Sequence, residues 1–339
     1  MSDNVTTLDP HGKGKYIGGD EYYITYTPDG SKEPSAIANI TDWSTGTYSF
    51  HFVGSPTTTL NAAAAQPRGT LKVILEHSCG MGALSPPLKQ NWSTSGAINR
   101  IYTIRNVPAP KTIQPFVQPN ADGRIDFEEF DQIVFLGDST MGQLACPDVL
   151  VPNLCQCAPF RPNIYHACQI ASGLNNKTLK SFQTQARQDL LEAKQIARGK
   201  YASSNRQDRN RKPRLGIVVG SGVWDVLSED VDFADHLEAC RQFVQSLQQD
   251  HPKVTIFWKS MTAMHIHAVA TSEHWERIRR VYYMSNTRAR KLDQLQKALM
   301  KELGVTLLDL FDATYFAAHK TKEGDGRHYE ASFNQLMNS

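Results

Sequence analysis

The sequence predicts a two-part α/β protein, in which a three-layer α/β/α domain with a parallel sheet follows a small β-rich domain. The chain has 339 residues, too many for one ordinary core and suited to two domains. From residue 130 onward, short apolar runs alternate with helical periodicity, which is typical of a parallel sheet with helices on both faces. Residues 1–110 instead hold short runs of β-branched and aromatic residues between turns, which is typical of a sandwich.

The β-rich domain is predicted over residues 1–110. Its clearest strands are Tyr22–Tyr26, Thr47–Val53 and Thr70–Leu75. The run Thr-Gly-Thr-Tyr-Ser-Phe-His-Phe resembles the tyrosine-containing strand of immunoglobulin-like or filamin-like repeats. Residues 111–129 are rich in proline at their start, and we interpret them as a linker. The second domain is predicted over residues 130–339.

The second domain is predicted as alternating strands and helices. Strands are expected at 133–136, 215–219, 254–258 and 305–310, and helices at 178–198, 233–249 and 286–303. Ligands of such sheets lie beyond the carboxyl ends of the strands. Polar segments follow those ends at Ser139, at 221–225 and at 260–267. The sequence therefore predicts one functional edge.

The segment Gly137-Asp138-Ser139 directly follows the first of these strands. We interpret it as a tight turn that presents the Ser139 hydroxyl beside a helix start, with Asp138 bonding the turn. Near the end of the chain, Asp325 and His328 supply a carboxylate and an imidazole three residues apart. Serine, histidine and aspartate are the components of an acyl-transfer site.

The order Gly-Asp-Ser, then Asp-x-x-His, resembles that of the SGNH or GDSL hydrolases. Within them residues 130–335 look most like the PC-esterase branch, which includes the trichome-birefringence-like and the neurexophilin-and-PC-esterase types. The resemblance implies that Ser139 is the nucleophile, His328 the general base and Asp325 the group that orients it. It also implies a serine esterase or O-acyltransferase that acts on an ester of a carbohydrate, with acetyl as the expected acyl group.

The sequence departs from this family at the oxyanion hole. The family commonly places an asparagine after its second strand, where this chain has Gly220. We expect the backbone N–H groups of Ser139, Gly220 and Gly222 to serve as the donors. The alternative is a catalytically weak or inactive protein of the same fold that binds glycans or serves in adhesion, because one lost donor costs about 2.7–4 kcal/mol.

Three further residues are candidates for substrate contact. Trp224 could stack on a sugar ring, with core packing as the alternative. His265 and His267 alternate near the functional edge, with a surface loop as the alternative. We expect no metal and no cofactor.

Charge and cysteine content bear on partners and compartment. A net charge of +2 gives no general reason to expect nucleic acid, although the basic segment 177–214 leaves a polyanion contact open. No apolar run approaches the roughly 20 residues of a membrane span. Four of the six cysteines cluster at 146–168, which favours disulfides, with zinc or free thiols as alternatives. The cysteine cluster favours the secretory route, whereas Met1–Asn4 does not begin a signal segment. We therefore expect only a slight preference for that route.

Overall fold

The structure is a computed structural model of the whole chain. It describes residues 3–6, 21–42, 47–54, 68–77, 100–110, 113–114, 130–138, 140–141, 176–202, 212–227, 232–268, 284–322 and 326–330.

The N-terminal strands form one sheet. They are β1 (Asp3–Thr6), β2 (Glu21–Pro28), β3 (Ala36–Asp42), β4 (Thr47–Gly54), β5 (Arg68–His77), β6 (Arg100–Pro108) and β7 (Ile113–Gln114). The strand order is β1-β4-β3-β2-β5-β6, all antiparallel, and β7 adds a short parallel pairing to β4. Residues 113–114 of the predicted linker therefore belong to the sheet.

The N-terminal sheet buries residues on both faces. Ile24 and Tyr26 pack with Phe50 and Phe52 on one face, whereas Tyr23, the residue before Ile24 in β2, points to the opposite face. This alternation follows from the two-residue period of a strand. A sandwich needs two sheets, but the described strands are joined in one because β2 pairs with both β3 and β5. The immunoglobulin-like arrangement stays a prediction.

The C-terminal part contains the expected parallel sheet. Its strands are β8 (Gln132–Leu136), β9 (Leu215–Val219), β10 (Val254–Lys259) and β11 (Thr306–Leu308), in the order β8-β9-β10-β11. The parallel register pairs Leu136 with Val219 and Val219 with Trp258. The first three strands consequently end together, as the sequence predicted.

The main helices are α1 (Asn176–Ala202), α3 (Phe233–Asp250) and α4 (Asn286–Glu302). Two short helices, α2 (Val223–Val226) and α5 (Phe311–Phe316), and 3-10 turns at Ile266–Ala268 and Ala318–Lys320 complete the described elements. Asp232 caps α3 by accepting the N–H of Ala234 at 2.8 Å. This cap satisfies one of the N–H donors that a helix leaves free at its start.

The three long helices pack on one face of the parallel sheet. Phe182 of α1, Phe243 of α3 and Met300 of α4 share one core with Val134 and Ile217 of the sheet. Right-handed crossovers between strands that succeed one another in one direction place every helix on the same side. The second helical layer of the predicted three-layer fold is therefore not seen among the described residues.

The N-terminal sheet contacts the α/β part through β2. The Tyr23 ring stacks on His267 with ring centres 4.9 Å apart, and meets His265 and Tyr315 edge-on at 5.4 and 6.0 Å. Two residues earlier, the Glu21 carboxylate accepts the N–H of Asn286 at the start of α4 at 2.9 Å. One strand thus supports both a helix end and the loop after β10.

Candidate active site

The turn after β8 is organised by Asp138. Its buried carboxylate accepts the Thr140 N–H at 2.9 Å and the Thr140 hydroxyl at 2.5 Å, and its carbonyl accepts the Met141 N–H at 3.0 Å. The predicted structural role of Asp138 is confirmed. Ser139, the predicted nucleophile between these residues, lies outside the described residues.

Gly137 is required at this turn by a close approach to the neighbouring loop. A Cβ atom at this position would lie 2.6 Å from the backbone carbonyl oxygen of Gly220, a distance at which the backbone would have to move. The turn after β8 and the loop after β9 are therefore in direct contact.

A lysine lies buried beneath the turn. Lys259, the last residue of β10, is only 2% exposed. Its Nζ donates to the Thr140 hydroxyl oxygen at 3.0 Å and to the Ser260 carbonyl at 3.2 Å. Burial lowers the pKa of the Lys259 ammonium, and the charges of Asp138 and Asp293 oppose that change. The Lys259 ammonium, the Thr140 hydroxyl and the Asp138 carboxylate thus form a hydrogen-bonded chain from the end of β10 to the turn after β8.

The structure of the loop after β9 contradicts one predicted oxyanion donor. The N–H of Gly220 donates to the Leu136 carbonyl at 3.0 Å, because the β8–β9 ladder continues one residue beyond the strands. This N–H is therefore not available to an oxyanion, and the prediction for Gly220 is wrong. Gly222 is buried at φ 124°, where an added Cβ would lie 2.6 Å from the sulfur of Met261. Its role as a donor stays a prediction.

The segment 326–330, which contains His328, is held by main-chain hydrogen bonds. The His328 carbonyl accepts the N–H of Lys322 at 2.7 Å, and Glu330 donates its N–H to the Lys320 carbonyl at 2.8 Å. The Gly326 carbonyl accepts the N–H of His265 at 2.6 Å. The segment is thereby fixed to the loop that follows β10. Asp325 lies outside the described residues.

His265 supports this segment from the interior. Its ring is fully buried, with Nε2 3.0 Å from the Thr314 carbonyl oxygen. Tyr329 donates its hydroxyl to the same carbonyl and to that of Ala263, both at 3.1 Å. A side chain with no exposed surface cannot meet a substrate from solvent, so the predicted substrate contact by His265 is wrong in this structure. His267 is partly exposed and stacked on Tyr23, and its substrate role stays a prediction.

Trp224 lies beside the His328 segment. The Arg327 guanidinium carbon is 5.0 Å from the centre of the indole ring, within the range of cation–π attraction. Trp224 also packs against the core that includes Val226 and Met261. The arrangement ties the loop after β9 to the segment before His328. Stacking of Trp224 on a sugar ring stays a prediction.

A second buried polar cluster lies behind the loop after β9. His236 Nδ1 is 3.2 Å from the Asp225 carboxylate, and its Nε2 is 3.3 Å from the Cys240 sulfur and 2.8 Å from the Gln296 amide nitrogen. Although burial alone lowers the pKa of His236, Cys240 and Asp225 raise it well above its ordinary value. Gln296 also donates to the Ser221 carbonyl at 2.8 Å. The cluster therefore braces this loop.

Sequence reasoning missed both buried charged groups. Lys259 ends the apolar run Val-Thr-Ile-Phe-Trp, and a charged residue at the end of a buried strand was the available signal. His236 and Cys240 are four residues apart on α3 and therefore face the same way, and both side chains are fully buried. The other five cysteines lie outside the described residues.

Within the described ranges, no three His, Cys, Asp or Glu side chains form a group that could hold a metal ion. In the same ranges, no helix has the length and apolar character needed to cross a membrane.

Several solved structures are similar to the chain, although no protein-family model and no curated protein matches it. A GDSL-like lipase from Bacteroides thetaiotaomicron is 14% identical over 62% of this chain and 85% of its own, with a TM-score of 0.39. A carbohydrate acetylesterase from Sinorhizobium meliloti is 11% identical over 61% and 94%, with a TM-score of 0.36. An aryl esterase from M. smegmatis is 12% identical over 61% and 94%, with a TM-score of 0.34. At these scores and identities the neighbours do not assign a family to the chain.

Proposed function

We propose that the protein is a serine esterase or O-acyltransferase of the SGNH type. The observation that carries this proposal is the shared edge of the parallel sheet. The Asp138–Thr140 turn follows β8 at that edge, and the His328 segment is bonded to the loop that follows β10 at the same edge. The proposed nucleophile, Ser139, belongs to the first of these segments, and the proposed base, His328, belongs to the second.

In the proposed reaction, the Ser139 oxygen attacks the ester carbonyl carbon while His328 accepts the hydroxyl proton. Asp325 orients the imidazole and stabilises its cation. The tetrahedral anion then expels the alcohol, which takes the proton from His328, and leaves an acyl-enzyme. Water or a second hydroxyl attacks this ester with the same base, and releases the free acid or a new ester.

The proposed substrate is an acetylated carbohydrate, as the PC-esterase resemblance implies. Water as the second acceptor gives an esterase, and a sugar hydroxyl gives a transferase. Arg327 precedes His328 in the chain, and its guanidinium carbon lies 5.0 Å from the centre of the Trp224 ring.

A serine-directed fluorophosphonate probe tests the proposal. We expect stoichiometric labelling that is lost in Ser139→Ala and reduced at least about 100-fold in His328→Ala, because the base activates the nucleophile. His319→Ala is the matched control, since His319 precedes the same segment and its ring faces Glu33 at 3.9 Å. Labelling that persists in Ser139→Ala would exclude this serine as the nucleophile.

The second candidate is a glycan-binding protein of the same fold without catalysis. The hydrogen bond from Gly220 N–H to Leu136 favours it, because that bond removes one proposed oxyanion donor. Purified protein that binds acetylated glycans, but neither turns over an aryl acetate nor reacts with the probe, would support this candidate.

A further inference from the structure

We propose that Lys259 supplies the positive charge of the candidate active site and acts through Thr140 on the anion that forms at Ser139. This inference rests on the proposed function and assigns the residue that replaces the missing donor. Three observations carry it: the position of the ammonium, the space that its side chain occupies, and its unused hydrogen-bonding capacity.

The ammonium contacts the residue that follows the proposed nucleophile in the chain. Lys259 Nζ is 3.0 Å from the hydroxyl oxygen of Thr140, the residue that follows Ser139. Thr140 in turn donates to Asp138, the residue that precedes Ser139. The cation therefore fixes both neighbours of the nucleophile in one hydrogen-bonded chain. A charge in a water-excluded site acts more strongly on a nearby anion than the same charge in water.

The Lys259 side chain occupies the space beside Gly220. A Cβ atom at position 220 would lie 3.3 Å from Lys259 Cβ, 3.4 Å from Lys259 Cδ and 2.9 Å from the terminal carbon of Met141. A longer side chain at position 220 and the buried Lys259 stem therefore compete for the same volume. Glycine at position 220 therefore accommodates both the Lys259 stem and Met141.

The ammonium retains one donor. An ammonium carries three N–H groups, and within the described residues two of them go to Thr140 and Ser260. Burial lowers the pKa of the Lys259 ammonium, and the nearby carboxylates of Asp138 and Asp293 oppose that change. The third N–H therefore has no acceptor among the described residues, and the charge lies one hydrogen bond from Thr140.

The test compares how fast fluorophosphonate labels Ser139 and how tightly an alkyl boronic acid binds, since its serine adduct is a tetrahedral anion. Lys259→Met keeps the unbranched stem and removes the charge. We expect both the labelling rate and the boronate affinity to fall about 100-fold, the usual effect of losing one donor to an oxyanion. Lys253→Met is the control, because it removes an equal charge from an exposed position just before β10, and we expect no change.

A double variant separates electrostatic stabilisation from structural support. In Lys259→Met, Asp138 loses its buried countercharge, and this alone could disturb the turn. Asp138→Asn combined with Lys259→Met removes both charges. If Lys259 stabilises the anion, the double variant stays as slow as Lys259→Met. Recovery of labelling and boronate binding in the double variant would overturn the inference, because the effect would then come from the unpaired carboxylate.

The remaining outcomes distinguish this inference from the proposed function. Labelling of Lys259→Met at the wild-type rate would overturn the role of Lys259 and leave the esterase proposal standing. Absence of any labelling at Ser139 in the wild-type protein would overturn both. Should Lys259→Met fail to fold, Asp138→Asn is compared with the double variant. A further loss of about 100-fold on removing Lys259 supports the inference, and equal rates contradict it.

Discussion

Glu21 links the N-terminal sheet to the α/β part by capping a helix that begins 265 residues later. Its carboxylate accepts the N–H groups of Asn286 at 2.9 Å and Thr287 at 3.2 Å, and also the Ser285 hydroxyl. The Ser285 oxygen itself accepts the N–H of Arg288 at 3.1 Å. The free donors at the start of α4 are therefore satisfied by a residue of β2. We predict that Glu21→Gln destabilises the whole protein rather than β2 alone.

The expected magnitude follows from these contacts. A hydrogen bond to a charged group contributes about 1.5–3 kcal/mol, and a carboxylate at a helix start adds about 0.3–1 kcal/mol through the helix dipole. Glutamine keeps one acceptor oxygen but turns an NH₂ group toward a backbone N–H. Allowing for partial exposure of Glu21, we expect the free energy of unfolding to fall by about 2–3 kcal/mol.

Urea denaturation followed by circular dichroism measures this loss. Glu33→Gln is the matched control, because Glu33 also crosses between the two parts, to Lys320, but its side chain is 50% exposed. Exposed ion pairs contribute about 0–1 kcal/mol, so the control should lie within that range. Equal losses in the two variants would refute the capping argument, since they would show that only a cross-domain charge matters.

Three further predictions concern the α/β part. Gly137→Ala should destabilise it by at least about 2 kcal/mol, because the new Cβ meets the Gly220 carbonyl oxygen at 2.6 Å. Gly199→Ala, on the exposed side of α1, should instead stabilise it by about 0.5–1 kcal/mol. Shifts of the same sign in thermal unfolding of the two variants would contradict this prediction. His236→Ala should cost about 3–5 kcal/mol in urea denaturation, because it leaves a buried carboxylate unpaired, and a loss below about 1 kcal/mol would argue against the ion pair. Burial raises the pKa of Asp293 to about 6, so the folded state binds its proton more tightly. The free energy of unfolding should therefore fall by roughly 2–3 kcal/mol between pH 4 and 6, and this slope should vanish in Asp293→Asn.

The elements of the α/β part were largely predictable from the sequence. The strand at 215–219 was predicted with its observed bounds, and the helix at 233–249 differs from α3 by one residue. Both depend on local periodicity of apolar residues, which a short window of sequence contains. The predicted strand at 305–310 is shortened to Thr306–Leu308, because pairing with β10 ends there.

The candidate site was predictable only in part. Asp138 was correctly interpreted as a turn residue because its neighbours in the sequence are its partners in space. Gly220 was wrongly interpreted as a donor, since its N–H is used by a strand 84 residues earlier. His265 was placed near a substrate from alternation alone, although Tyr23 of another sheet buries it. These errors share one cause, the unknown partner across the fold.

The sequence by itself determined which segments become strands and helices of the parallel sheet, and that several polar loops share its carboxyl edge. Only the tertiary structure decided that the long helices described all lie on one face, that Glu21 caps α4, and that Lys259 is buried against Thr140. The physical reason is the separation along the chain between the residues that interact. Periodicity is a property of neighbouring residues, whereas strand order, helix caps in trans and buried charges depend on side chains that meet only after the chain has folded.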